Sequence, residues 1–282
     1  MTFAATAGLG AIAGGTIFLG LPVGRARNLS VRTKLALSML SAGILAFLFM
    51  DVGSEALGII ETRLDAFKDE NASLWPVIGL FALLSVGFLG GVGGIATAQR
   101  RLAKRRPPRI AGGESAAVMT AGELGEHERA FGAEALRTGM VIAAAIGLHN
   151  FAEGLAIGVS AQAGEIGLAT VLIIGFALHN ATEGFGIIGP LGGVRPSWTW
   201  LAVAGVVAGG PTFVGAMVGY QVTSDALALC FFALAGGAIL YVIGEIWAGA
   251  RRQGHAELGL YMLGIGFLLG IATDLVVAYG GA

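Results

Sequence analysis

Charged residues are scarce in this chain of 282 residues. Asp, Glu, Lys and Arg make up 12% of it, whereas soluble globular domains contain about 25%. In their place, 55% of the residues are apolar and 48 are glycine. The mean hydropathy is +0.79. This composition excludes an ordinary soluble domain and indicates a polytopic membrane protein.

Cysteine is almost absent as well. Cys230 is the only one in the sequence, which excludes an intramolecular disulfide framework. We expect its thiol to be buried and to pack as a small apolar group.

Eight apolar runs are each long enough to cross a bilayer, which requires about 20 residues of helix. The first run has no basic segment before it and no convincing cleavage site, so we interpret it as a retained span rather than a signal peptide. The predicted fold is therefore all-α, with eight transmembrane helices. The runs lie at residues 3–23, 33–56, 75–97, 138–160, 166–190, 198–221, 226–250 and 257–280.

The basic residues are concentrated in one set of loops. Of the 17 lysines and arginines, only Arg63 and Lys68 lie outside the loops that follow odd-numbered spans. The positive-inside rule places those loops in the cytoplasm and both termini outside. We expect 1–282 to form a single transmembrane domain, with 98–137 as a cytoplasmic loop whose first, basic part contacts the lipid surface.

Two copies of the sequence His-Asn-x-x-Glu-Gly interrupt spans four and five, at 149–154 and 179–184. A His and a Glu four residues apart lie on the same face of a helix. A carboxylate at the bilayer centre costs about 2.5 kcal/mol or more, so a Glu in both copies favours water, a proton or a cation as partner. Facing each other near the midplane, the copies would form a ligand set for a divalent transition metal. The alternative is a structural polar clamp between two helices.

The duplicated motif, the eight spans and their orientation resemble the ZIP family (Zrt-like, Irt-like proteins), in its bacterial GufA-like branch. The resemblance implies that spans one to three are related to spans six to eight by an inverted repeat around spans four and five. It also implies the ligands of a transport site near the midplane. These are His149, Asn150, Glu153, His179, Asn180 and Glu183.

Several positions depart from the family pattern. Ala152 and Thr182 stand where relatives often have a proline before the Glu, so any kink must come from the glycines of these helices. Many relatives have a carboxylate before the proline of span six, whereas Gly210 precedes Pro211 here. We therefore expect one principal metal site rather than two. His179 is a stronger nitrogen ligand than the amide of some relatives, and favours Zn²⁺ over Mg²⁺ or Ca²⁺.

Other polar residues resemble the parts of a metal pathway. Asp51 and Glu55, four apart near the outer end of span two, resemble an entrance relay, with an interfacial pair outside the membrane as the alternative. Glu245, near the inner end of span seven, lies where the family has an acidic residue on the exit side. His255 in the following loop could receive metal there, with an ordinary interfacial histidine as an equal alternative.

The predicted function is a permease of the inner membrane that brings zinc toward the cytoplasm by alternating access. Cadmium, iron, manganese, cobalt and nickel remain alternative substrates. We expect no enzyme activity, because the sequence lacks His-Glu-x-x-His and any Ser or Cys nucleophile beside the two motifs. The alternatives are a metal-gated channel or receptor and, less favoured, an intramembrane zinc hydrolase.

The expected partners are the metal and the lipid bilayer, without nucleic acid. The oligomeric state is left open, a homodimer included.

Overall fold

The computed structural model describes residues 1–70, 72–103, 121–164, 166–221 and 224–281. Every regular element within these ranges is a helix, and two short 3₁₀ segments lie at Leu21–Arg25 and Gly189–Leu191. The α-helices are α1 (Phe3–Gly15), α2 (Ile17–Gly20), α3 (Val31–Glu70), α4 (Trp75–Ala103), α5 (Ala121–Gln162), α6 (Ile166–Ile188), α7 (Trp198–Gln221), α8 (Asp225–Arg252) and α9 (Ala256–Gly281).

The helices have the length and composition that a membrane requires. Seven stretches of the described residues are long and apolar enough to cross a bilayer, and they cover seven of the eight predicted spans. The remaining predicted span is α6, a helix of 23 residues. At 1.5 Å per residue it is about 35 Å long, more than the hydrocarbon core of about 30 Å. The prediction of an all-α polytopic membrane protein is confirmed.

The first predicted span is a broken helix. The hydroxyl of Thr16, at the junction of α1 and α2, donates to the carbonyl of Ala13 at 2.7 Å. Such a bond from a side chain to its own helix competes with the regular helical pattern. A 3₁₀ segment that starts at Leu21 and has Pro22 in its first turn then ends the span. The break exposes the carbonyl of Ala13 to contact from another helix.

Three helices extend beyond the predicted apolar runs. Span two was expected to end at residue 56, but α3 continues to Glu70. Its extension is tied to the start of α8 by an ion pair between Arg63 and Asp225 at 2.9 Å. Asp51 and Glu55 therefore lie inside a long helix rather than near its end. The expected loop 98–137 is likewise helical at both ends, in α4 and α5, and its residues 104–120 lie outside the described part of the chain.

Three pairs of helices pack closely through glycines: α3 with α9, α4 with α8, and α1 with α7. The closest approaches of α3 to α9 and of α4 to α8 are made by a glycine on each helix facing backbone of the other. If spans one to three correspond to spans six to eight, then α3 corresponds to α8 and α4 corresponds to α9. The α3–α9 pair is then equivalent to the α8–α4 pair. The α1–α7 pair, which is joined at Gly14 and Gly209, corresponds to itself. This arrangement is what the predicted inverted repeat requires, and it leaves α5 and α6 between the two repeats.

The connection between α2 and α3, which contains Arg25 and Arg27, meets the connection between α6 and α7, which contains Arg195, at one end of the bundle. Arg25 donates to the carbonyl of Pro196, and its guanidinium lies 4.9 Å from the centre of the Trp198 ring. The end of the 3₁₀ segment after α2 thus contacts the residues that lead into α7. We call this the basic end and the other the opposite end; α5 runs away from the basic end and α6 runs back toward it.

Candidate metal centre

Three ionisable side chains from α5 and α6 meet inside the bundle. One ligand atom each of His149, Glu153 and Glu183 lies within 4.8 Å of the other two. Nε2 of His149 is 3.1 Å from Oε1 of Glu153 and 3.8 Å from Oε1 of Glu183. The exposed fractions of the three residues are 0%, 4% and 0%. An imidazole and two carboxylates brought together in this way are typical ligands of zinc.

Within the part of the chain that the structure describes, these groups have no hydrogen bond of regular geometry, and their polar neighbours are one another and the side chains of Asn150 and Asn180. Both ring nitrogens of His149 and all four carboxylate oxygens of Glu153 and Glu183 are buried without such a bond. Buried polar and charged groups are costly unless they are paired or bind a metal. A divalent cation between the three side chains would interact with all of them at once.

The two asparagines flank this centre in matching positions. The Nδ2 of Asn150 donates to the carbonyl of Ala208 on α7 at 3.1 Å, and the Nδ2 of Asn180 donates to the carbonyl of Ala13 on α1 at 3.1 Å. A carbonyl can only accept, so these bonds fix which way each amide points. Each Oδ1 is buried and has no hydrogen-bond partner among the described residues. Each amide oxygen is therefore free to act as a ligand.

The motif glycines bring neighbouring helices close to the centre. A methyl group at Gly154 would overlap the backbone of Thr212 on α7, and one at Gly184 would overlap the backbone of Gly20 on α2. The asparagine and the glycine of each motif thus contact equivalent helices of the two repeats. The sequence suggested these glycines only as possible sites of a kink, and their role in close helix packing follows from the structure.

His179 does not join the group of three ligands. Its Nε2 lies 2.7 Å from Oγ1 of Thr273 on α9, and its ring packs edge-on against Phe47 of α3 with the centroids 6.4 Å apart. The spacing correctly predicted that His179 and Glu183 share a side of α6. It could not predict that a hydroxyl 94 residues away would hold the ring toward α9.

A cavity of about 330 Å³ leads from this centre toward the opposite end. Asp51, Glu55, His149 and Glu153 line it together. Glu55 also lines a second cavity of about 380 Å³, with Asp225 at the start of α8. The two predicted entrance residues therefore lie beside the centre rather than in an interfacial pair apart from it. Both cavities have carboxylates in their walls, which suits a cation.

The predicted exit residues lie at the basic end, apart from the centre. Glu245 accepts from the side-chain amide of Gln99 at 3.4 Å, and both line a cavity of about 220 Å³. His255, half-buried in the turn before α9, is not among the described residues that line it. Buried apolar side chains pack where α5 precedes His149, where α6 follows Glu183 and along the last half of α8. They are Ile142, Ile146, Ile187, Ile188, Val242 and Ile246.

Two other residues lie apart from the three clustered side chains. Cys230 is half-buried, whereas the sequence led us to expect it to be buried. Asp274 is exposed on α9. Neither belongs to the centre.

The fold and the centre together define an integral membrane protein that can hold a divalent metal inside a helical bundle. Residues 97–244, more than half of the chain, match the family described as ZIP Zinc transporter. The chain therefore belongs to this family, whose members are transporters of divalent metal and not enzymes. It is also similar to the zinc transporter ZupT of Corynebacterium glutamicum, with 28% identity over 268 residues that cover 92% of this chain and 94% of the relative.

Proposed function

We propose that the protein carries zinc, or a similar divalent transition metal, across the inner membrane toward the cytoplasm, and that His149, Glu153 and Glu183 hold the metal on its way. One observation carries this proposal. The three ligand groups are buried and have no hydrogen-bond partner in the described ranges, and they lie within 4.8 Å of one another. Asn150 and Asn180 add the two flanking amide oxygens.

The charges and the atom types support zinc as the substrate. Two carboxylates and a neutral imidazole carry a formal charge of about −2, which a divalent cation neutralises. Imidazole nitrogen suits zinc and its neighbours among the transition metals, whereas magnesium and calcium prefer oxygen ligands only. The relative from Corynebacterium glutamicum is a zinc transporter, which supports the same choice. Cadmium, iron, manganese, cobalt and nickel would fit the same atoms less specifically.

The distribution of charge supports the direction. With the basic end in the cytoplasm, the two cavities with Asp51, Glu55 and Asp225 lie on the outer side. The metal would enter through them, and would leave through the cavity that contains Glu245. Both termini would then lie outside.

The packing supports alternating access rather than a channel. A channel needs a continuous polar path, but buried isoleucines of α5, α6 and α8 separate the centre from the cavity at the basic end. In such a cycle, this conformation would be the outward-facing state. Transport would require these helices to separate at the basic end while the outer cavity closes, as in other transporters with an inverted repeat.

Zinc flux into liposomes tests the proposal. We expect saturable uptake by the reconstituted wild type, and loss of at least nine-tenths of it in His149→Ala and in the nearly isosteric Glu183→Gln, since ligand loss in metal sites typically costs about 10-fold or more. Glu61→Gln, which removes an exposed carboxylate on α3, serves as the matched control and should transport normally. Uptake at the wild-type rate by well-folded His149→Ala or Glu183→Gln would overturn the proposed site.

A further inference from the structure

Thr273 on α9 makes an unusual contact for a side chain on one of the least buried spans. Its Oγ1 lies 2.7 Å from Nε2 of His179 on α6. The same oxygen lies 2.8 Å from the carbonyl of Gly270 and 3.1 Å from that of Leu269, both on its own helix. Thr273 lies outside both His-Asn-x-x-Glu-Gly motifs and is not among the described residues that line the three cavities.

The contacts of the hydroxyl determine which atom carries its proton. A hydroxyl has one hydrogen to donate, and a carbonyl oxygen can only accept. Threonines inside helices usually donate to a carbonyl three or four residues earlier, and the distance to Gly270 is that of a good hydrogen bond. The hydroxyl of Thr273 then donates its hydrogen to the carbonyl of Gly270 on its own helix. Toward His179, the hydroxyl oxygen can only accept a hydrogen bond.

The histidine ring must therefore carry its hydrogen on Nε2. A neutral imidazole has one nitrogen with a hydrogen and one with a bare lone pair, so the bare nitrogen of His179 is Nδ1. This atom is buried and has no hydrogen-bond partner in the described part of the chain. Phe47 packs against the ring from α3 and limits its movement. The bare nitrogen thus stays available inside the protein.

We propose that Thr273 is a positioning residue, which holds His179 in the tautomer that offers Nδ1 to the transported metal. Metal-binding histidines commonly donate their other ring hydrogen to an oxygen acceptor, which fixes the tautomer and strengthens the ligand. This role rests on the proposed function for the identity of the metal. It assigns to α9 a part in the metal route that its exposed position in the bundle would not suggest.

The first test compares variants of Thr273 by zinc binding and uptake. Thr273→Val keeps the shape and removes the hydroxyl, and should weaken zinc affinity and raise KM roughly 10-fold. Thr273→Ser keeps the acceptor and should restore values near the wild type. Ser85→Ala is the matched control, because Ser85 makes the same kind of bond to its own helix, at 2.8 Å to the carbonyl of Phe81. We expect it to change neither quantity.

The second test asks which ring nitrogen acts. An asparagine at position 179 places a polar atom near Nδ1 of the histidine, whereas a glutamine reaches the position of Nε2. We expect His179→Asn to keep more zinc affinity than His179→Gln. In the His179→Asn background, Thr273→Val should have no further effect, since the bond that it removes is already gone.

Nitrogen NMR of the histidine rings reads the tautomer directly, and the chain has only four histidines. The signal that disappears in His179→Asn should show a bare Nδ1 in the wild type and a mixture of tautomers in Thr273→Val. A bare Nε2 in the wild type, normal zinc affinity in Thr273→Val, or an equal loss in Thr273→Ser would overturn the role of Thr273. Normal uptake in His149→Ala would instead overturn the proposed metal site, whatever the result at Thr273.

Discussion

The repeated motif assigns different physical tasks to neighbouring residues of one helical turn. In α5, His149 and Glu153 point to the proposed ion, while Asn150 binds the backbone of α7 and Gly154 lets α7 approach. In α6, Glu183 also points to the proposed ion, while Asn180 and Gly184 make the equivalent contacts with the first span, α1 and the end of α2. The exception is His179, whose ring is held by α9. The site is thus built from two similar motifs but is not symmetric.

Proton competition at this site gives a prediction at the residue scale. Imidazole and carboxylate ligands must lose their protons before they bind a cation, and free imidazole has a pKa of about 6.5. As the pH falls, protons compete more strongly, so zinc affinity should be nearly full at pH 8 and weaken progressively below about pH 6. Equilibrium binding to the purified protein between pH 5 and 8 measures this. An affinity that does not change over that range would show that imidazole is not a ligand.

Spacing within the sequence predicted some of these residues but not others. The interval of four predicted a shared helix face for each His and its Glu, which brings His149 to Glu153, and the cost of a carboxylate in a membrane indicated a cation. Both arguments are local to one helix. The pairing of His179 with Thr273 depends on how α9 packs against α6, which no local pattern reveals. For the same reason, the amide bonds to Ala13 and Ala208 could not be predicted.

At the scale of helices, the close contacts of glycine determine how the elements meet. Hydropathy predicted the membrane part of each helix, but α3 continues well beyond the apolar run because its extension is paired with α8. Polar helical extensions carry no apolar signal, so their ends were not predictable. The contact between α1 and α7 is made by Gly14 and Gly209, where neither residue leaves space for a side chain.

Two adjacent glycines of α7 test this packing with the same substitution. A methyl group at Gly209 would overlap the backbone of Gly14, whereas the nearest atom to one at Gly210 is Cγ1 of Val206 at 3.8 Å. Gly209→Ala should destabilise the protein by roughly 1–3 kcal/mol through overpacking and reduce uptake, because α1 and α7 carry the carbonyls that hold the asparagines. Gly210→Ala should leave stability equal or slightly higher, since alanine favours helix. Thermal unfolding in detergent compares the two; equal melting temperatures would show that α1 and α7 are not closely packed there.

At the scale of the whole molecule, the cavities and the apolar packing indicate that the proposed metal site is accessible from the opposite end of the bundle. The carboxylates of Asp51, Glu55 and Asp225 line the path from the opposite end to His149 and Glu153. The basic end is closed by isoleucines, and the cavity beside Glu245 lies beyond them. Of these acidic residues, Asp51, Glu55 and Glu245 were expected individually from the family resemblance, whereas Asp225 was not. How these residues are distributed among the cavities depends on the packing of α3, α5 and α8, which the sequence does not reveal.

Anomalous X-ray scattering at the zinc edge tests most directly whether zinc binds between His149, Glu153 and Glu183. The measurement uses crystals of the protein grown with zinc. We expect one strong peak in the bundle, about 2.0–2.2 Å from a nitrogen of His149 and from oxygens of Glu153 and Glu183. A second strong peak beside it is not expected, because Gly210 provides no carboxylate to offset the repulsion between two ions. The peak should disappear in Glu183→Gln. A zinc-loaded wild type with no peak between these three side chains would contradict the account.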